Sequence, residues 1–232
     1  ILLPVFKKIE PVFSTHLFLF LLSTSIFIAA AGYIINDYFD INIDRINKPD
    51  KLFIGKTISR RWAIFWHSFL SFLGVVLSFY IGAKTHIWWL GFANLFCTFL
   101  LFVYSTTFKR RFLTGNIIIS LLTAWSVAVL GFATFYGVMH QRENFRGISG
   151  AEILTYTIIY ATFAFIISLI REAIKDVEDM EGDLKFGCKT LPIVAGLNAT
   201  KTYVAVWLVV LAGSILILQV YAFKFRWWLA II

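Results

Sequence analysis

Two stretches of this 232-residue chain place acidic side chains where a helix would align them. The first is Asn36-Asp37-Tyr38-Phe39-Asp40-Ile41-Asn42-Ile43-Asp44. Asn36, Asp40 and Asp44 recur every fourth residue, and on a helix each such step drifts by only about 40°, so the three share a face. Asp37 lies about 100° off that face but within a turn of Asp40. The second stretch is Asp176-Val177-Glu178-Asp179-Met180-Glu181-Gly182-Asp183, in which Asp176, Asp179 and Asp183 are spaced three and four, with Glu172 a turn earlier. This spacing predicts a second single face, with Gly182 able to loosen the helix end. Like charges at these spacings repel and call for a counter-charge. Mg²⁺ takes oxygen ligands, usually one or two carboxylates plus phosphate oxygens. Two such faces opposed across a cavity would hold a diphosphate bridged by magnesium. One acidic triplet is ordinarily a solvated surface, and Asp50 and Glu181 fit that description. Two triplets facing one compartment do not.

The elements that must position them are membrane helices. Hydrophobic residues make up 59% of the chain and charged ones 15%, against about 25% charged in soluble domains. Continuous apolar runs lie near residues 16–36, 62–82, 87–107, 115–138, 151–171 and 202–221. Each matches the roughly 20 residues that cross a hydrocarbon core of about 30 Å. A β-barrel would instead alternate over segments of about ten residues. The predicted fold class is all-α, a multi-pass transmembrane bundle of six complete spans, forming one membrane-embedded domain over 1–232. Residues 1–6 and 227–232 read as partial spans, as if the chain were cut within a helix at each end.

Lys and Arg are twice as frequent around 37–61, 109–111 and 171–201 as on the opposite side. By the positive-inside rule that face is cytoplasmic, with Trp88-Trp89 and Trp227-Trp228 at the other interface. Four crossings separate the two acidic stretches, so parity puts both on the cytoplasmic side. The long loops 37–61 and 172–201 hold nearly all the acid and would cap the site. The net charge of +8 is explained by this topology and by attraction to anionic headgroups. No basic helix or aromatic-basic platform suggests nucleic acid. Cys97 and Cys188 cannot make a disulfide scaffold, and His16, His67, His86 and His140 are scattered, so no Cys/His metal cluster and no obvious general base emerge. A lone His67 inside a span reads as a helix–helix hydrogen bond.

Asn-Asp-x-x-Asp-x-x-x-Asp at one helix end, with a second Asp-x-x-x-Asp four helices later, resembles the UbiA superfamily of intramembrane prenyltransferases over almost the whole chain. The flanks Asp44-Arg45-Ile46-Asn47-Lys48-Pro49-Asp50 and Arg171-Glu172-Ala173-Ile174-Lys175-Asp176, with Lys189-Thr190-Leu191-Pro192, are most similar to the branch that prenylates geranylgeranylglyceryl phosphate. Leu52-Phe53-Ile54-Gly55-Lys56 departs from that branch, where many members read Arg-Pro-x-Pro-Ser-Gly.

The resemblance implies Mg²⁺-dependent transfer of a prenyl group from a prenyl diphosphate donor to a lipophilic acceptor taken from the lipid bilayer. The acceptor expected first is a glycerol-phosphate ether lipid precursor, and the alternative is an aromatic quinone or chlorin precursor. Metal would be held by Asn36, Asp37, Asp40, Asp44, Asp176, Asp179 and Asp183, of which Asp40, Asp44, Asp179 and Asp183 are the expected catalytic acids. Tyr104-Ser105-Thr106-Thr107-Phe108-Lys109 resembles the family's Tyr-x-x-x-Lys element with one residue added, which places Tyr104 and Lys109 near the diphosphate. Arg171 and Lys175 would either meet an anionic acceptor headgroup or pair with Glu172 and Asp179. A cation transporter with aspartates on the ion path is the reading from another class. Such groups normally sit near the midplane, in broken helices, whereas these lie at helix ends.

Overall fold

The computed structural model describes residues 13–140 and 150–224. The expected partial spans at 1–6 and 227–232, the Trp227-Trp228 pair, and the 141–149 part of the outer loop lie outside them. Among the described residues eight α-helices follow in order: α1 (Thr15–Asn47), α2 (Arg60–Thr85), α3 (Trp88–Thr106), α4 (Thr114–His140), α5 (Gly150–Glu178), α6 (Met180–Lys185), α7 (Leu191–Ala195) and α8 (Leu197–Lys224). Short 3₁₀ turns occupy Pro49–Lys51 and Phe108–Arg110. All except α6 and α7 are long and apolar enough to span a membrane, and these six coincide with the six expected runs.

These helices are apolar on every side, as expected of spans that pack on one face and meet lipid on the other. Phe65, Phe69 and Phe72 on α2 and Phe92, Phe96 and Phe99 on α3 remain exposed. Inside, α1 runs along α2 and α4 along α5, α3 joins the two pairs, and α8 leans on α5. Hydrocarbon offers no hydrophobic gain for helix pairing, so small residues and hydrogen bonds must supply it. At Gly131 a Cβ would collide with the Thr157 side chain, so α4 and α5 meet there almost backbone to side chain. His67 Nδ1 lies 3.0 Å from the Ala31 carbonyl, joining α2 to α1 as the sequence suggested.

At the end of the bundle away from the motifs, Leu21, Ile81, Ile87, Leu90 and Val129 form a tight cluster, each no more than 1% exposed. Above it, toward the motifs, the helices part around a cavity of about 440 Å³ between α1, α3, α4 and α5.

Candidate functional site

α1 has 33 residues, about 50 Å at 1.5 Å each, so it outruns a core of about 30 Å. The excess carries the first motif out of the apolar zone. The helix stops at Asn47 because Pro49 disfavours helical geometry in the residue before it, and Lys48 accordingly leaves the helical region at φ −143°, ψ 57°. Asn36, Asp40 and Asp44 stay in register on this extension, as the spacing predicts. Asn36, Asp37, Asp40 and Asp44 line a polar compartment of about 170 Å³ together with Lys48 and Lys175. Asn36, Asp37 and Lys175 also line the large apolar cavity, so the two spaces adjoin. Asn36 Nδ2 donates to Asp40 Oδ2 at 2.8 Å, while its Oδ1 is buried and unpartnered.

The second motif departs from expectation. It is not carried on one unbroken helix: α5 ends at Glu178, Asp179 takes φ −92°, ψ 4°, and α6 begins at Met180. Hydrogen bonding continues across the break, from Asp179 N–H to the Lys175 carbonyl and from Asp183 N–H to the Asp179 carbonyl, so the chain bends rather than unravels. The cause is tertiary. Asn47 Nδ2 donates to the Asp179 carbonyl at 2.9 Å, and Gly182 N–H donates to Asn47 Oδ1 at 2.8 Å. A Cβ on Gly182 would lie 2.6 Å from Asn47 Nδ2, so only glycine allows this approach. One amide thus fastens the end of α1 to the bend in the second motif, 132 residues away.

The acids are met by cations and amides from other segments. Lys109 pairs with Asp40. Lys48 Nζ sits 2.6 Å from Asp179 Oδ1, a close ion pair off the line of a hydrogen bond. Asn116, in the first turn of α4, donates to Asp176 Oδ2 at 2.9 Å. Arg171 reaches back to its buried neighbour Glu172 at 2.7 Å. Lys175 has no ion pair among the described residues. Among those residues, too, no three acidic, His or Cys side chains close on a single point. The donors come as pairs and singles of hard oxygen, which suits an ion that completes its shell with phosphate oxygens rather than a protein-only cage.

Lys109 arrives on the 3₁₀ turn Phe108–Arg110, which seats against Gly115 so closely that a Cβ there would lie 2.7 Å from the Phe108 carbonyl. The Lys189 N–H donates to the Arg110 carbonyl at 2.9 Å, tying this turn to the loop after α6. Burial works against the Lys109 charge, but Asp40, with Asp44 and Asp179, outweighs it and raises its pKa above the ordinary lysine value. Asp183 is buried, which raises its carboxyl above the usual range; Lys109 opposes this, and Asp179 and Asp40 add to it. Burial, helped by Asp183, pushes the Cys188 thiol up to about 11. A thiol so protonated is a poor nucleophile.

Tyr104 is buried and lines the apolar cavity. Arg171 and Tyr33 line it too, interact with one another, and are both exposed, so they mark its open side. Asn47, Lys48 and Asn116 were not among the residues singled out from sequence. Lys48 was readable as a cation four residues beyond Asp44, whereas an Asn opening a helix reads as a cap, and Asn47 reads as loop.

This geometry has relatives. The chain is 34% identical over 167 residues to digeranylgeranylglyceryl phosphate synthase of Pyrococcus abyssi, covering 72% of this chain and 52% of that protein. With the synthase of Thermococcus gammatolerans it shares 36% identity, over 76% of this chain and 55% of the relative. With that of Sulfolobus acidocaldarius it shares 34%, over 83% and 61%. The chain therefore spans between half and two thirds of the length of these relatives. A solved structure of a digeranylgeranylglyceryl phosphate synthase in membranes superposes with a TM-score of 0.59 at 28% identity, over 87% of this chain and 64% of that one. The UbiA prenyltransferase family profile matches residues 7–232, and with the helical bundle and its paired aspartate motifs in view, the chain belongs to that family.

Proposed function

We propose that this protein transfers a prenyl group from a prenyl diphosphate to a lipophilic acceptor, with geranylgeranylglyceryl phosphate as the acceptor its relatives favour. One observation carries the reading: an acid-lined polar compartment opens into a far larger apolar cavity within the bundle. A diphosphate head and a hydrocarbon tail need those two environments side by side. A cation path has no use for the second.

The donor set fits magnesium. It offers Asp37, Asp40 and Asp44 on the α1 wall of the polar compartment, beside the unpartnered Asn36 Oδ1, and Asp176, Asp179 and Asp183 around the bend, where Asp179 meets the compartment's Lys48. Bound there, the metal would neutralise the leaving diphosphate. The protein's own residues do the rest. Lys109 and Lys48, already paired to Asp40 and Asp179, are placed to exchange those partners for phosphate oxygens as charge develops on them. Tyr104 closes the apolar side behind the allylic carbon, and the cavity keeps out water that would capture a developing carbocation. Arg171 and Lys175, at the open side, offer two cations to an anionic acceptor headgroup. The excess of Lys and Arg around these loops supports a site at the cytoplasmic face.

The test supplies the protein with Mg²⁺, labelled prenyl diphosphates, and either geranylgeranylglyceryl phosphate or aromatic acceptors. Transfer to the former is expected, with Asp40→Asn and Asp179→Asn each lowering turnover at least about 100-fold, the usual scale for an electrostatic group at a reacting centre. Transfer to an aromatic ring alone would move the acceptor assignment. Wild-type turnover in either variant would remove that residue from the metal site.

A further inference from the structure

The apolar cavity is closed at its inner end, and the closure is built from polar residues. On α1 the lining runs from Asp37 down to Ser25, on α3 from Tyr104 to Asn94, and on α4 from Ile119 to Val129. At the bottom the Trp125 indole lies across toward α3, its Nε1 donating to Asn94 Oδ1 at 3.1 Å. Asn94 Nδ2 in turn donates to Ser78 Oγ at 2.8 Å, and Ser78 to the Gly74 carbonyl at 2.9 Å, so the amide is fixed from α2. Asn94 is 4% exposed and Ser78 fully buried. Trp89 meets the Trp125 ring edge-on at 6.3 Å, and Trp125 packs against the tight cluster around Leu21, Leu90 and Val129. A hydrogen-bonded relay buried in a membrane span exceeds what pairing α2 with α3 needs, for which Gly91 already seats against the Phe79 ring. Its effect is to hold one large ring rigidly over the cavity floor.

Resting on the prenyl-transfer reading, we infer that Trp125, oriented by Asn94, is the stop that sets the length of donor tail this site accepts. From Asp37 to Ser25 the helix rises about 18 Å at 1.5 Å per residue. An extended chain advances about 1.2 Å per bond, judging from the backbone's 3.3–3.6 Å per three bonds. An isoprene unit adds four chain bonds, about 5 Å, so the cavity takes three to four units before the tail meets the indole. Trp125 sets specificity by contact, and Asn94 is a positioning residue acting through it.

The test is a competition among prenyl diphosphates of two, three, four, five and six isoprene units, for the protein and for Trp125→Ala, Asn94→Ala and Ser25→Phe. The wild-type preference is expected to end at four units. Trp125→Ala should raise the five- to four-unit ratio of kcat/KM at least about tenfold, the low end of what one misfitting group costs in a pocket. Asn94→Ala should shift the ratio the same way by a smaller factor, because the ring is freed but present. Ser25→Phe, which adds bulk to the floor, should move the optimum to three units or fewer. Thermal protection by the same diphosphates should follow the same length order without turnover. A length profile unchanged in Trp125→Ala, or a wild type that takes six units as readily as four because the tail leaves sideways past Tyr33, overturns the stop while leaving transfer intact. No transfer from any donor length, with no protection by any, overturns the underlying reading and the stop with it.

Discussion

Asn47→Ala isolates the contact that joins the two motifs. The wild-type side chain accepts from Gly182 N–H at 2.8 Å and donates to the Asp179 carbonyl at 2.9 Å. Removing it leaves the amide of buried Gly182 without this partner, a loss of about 1–3 kcal/mol. The Asp179 carbonyl still accepts from Asp183 N–H at 3.0 Å, so it forfeits only a net hydrogen bond, about 0.5–1.5 kcal/mol. The total is about 1.5–4.5 kcal/mol. Gly182→Ala attacks the same contact from the other side, by forcing a Cβ to within 2.6 Å of Asn47 Nδ2. Its cost is reduced by about 1 kcal/mol, the helix propensity gained over glycine.

The two changes must therefore be non-additive. Once Asn47 is truncated, the methyl group that Gly182→Ala adds has nothing to strike, and the double variant should be no less stable than Asn47→Ala alone. The assay is a double-mutant cycle of denaturant unfolding in detergent, read beside proteolysis of the 48–59 loop, which should become faster in each single variant. A coupling energy within about 0.5 kcal/mol of zero would refute the reasoning, because it would mean that each residue acts through other partners.

Other outcomes follow from the same site. Lys109→Met leaves Asp40 without its cation and removes a charge-assisted bond worth about 1.5–3 kcal/mol, so donor KM should rise roughly 10–100-fold in steady-state assays, with Lys109→Arg recovering part of the loss. Gly115→Ala places a methyl 2.7 Å from the Phe108 carbonyl and should displace the turn that bears Lys109, which donor KM again reports; an unchanged KM would show that the turn yields without moving the ammonium. His67→Ala removes one α1–α2 hydrogen bond, to a carbonyl six residues along α1 from Asp37, and should cost only about 0.6 kcal/mol in unfolding assays, the average for such bonds in membranes, with turnover kept.

The parts of this protein that sequence displayed are those governed by one dominant energy. Six spans were readable because an unsatisfied peptide group in hydrocarbon is so costly that any 20-residue apolar run must be helical. The register of Asn36, Asp40 and Asp44 was readable because nothing interrupts α1 before Pro49. The bend at Asp179 was not. Met180, Glu181 and Lys185 favour a continuing helix locally, and the departure comes from an amide on another helix that captures the Asp179 carbonyl. Lys109 shows the same limit in milder form. Its nearness to the acids was expected from its place after Tyr104, yet the added residue in that element is absorbed by a 3₁₀ turn seated on Gly115, and a count along the chain does not reveal that. Amides that cross between elements carry no pattern of their own, because one Asn suffices and its partner is a backbone atom. For that reason the second motif's acids were named as a group while the residue that sets their angle, Asn47, passed as loop. A search for the device that holds two such motifs in register should therefore look first at asparagines just before a helix-ending proline, and at the glycine opposite that lets them in.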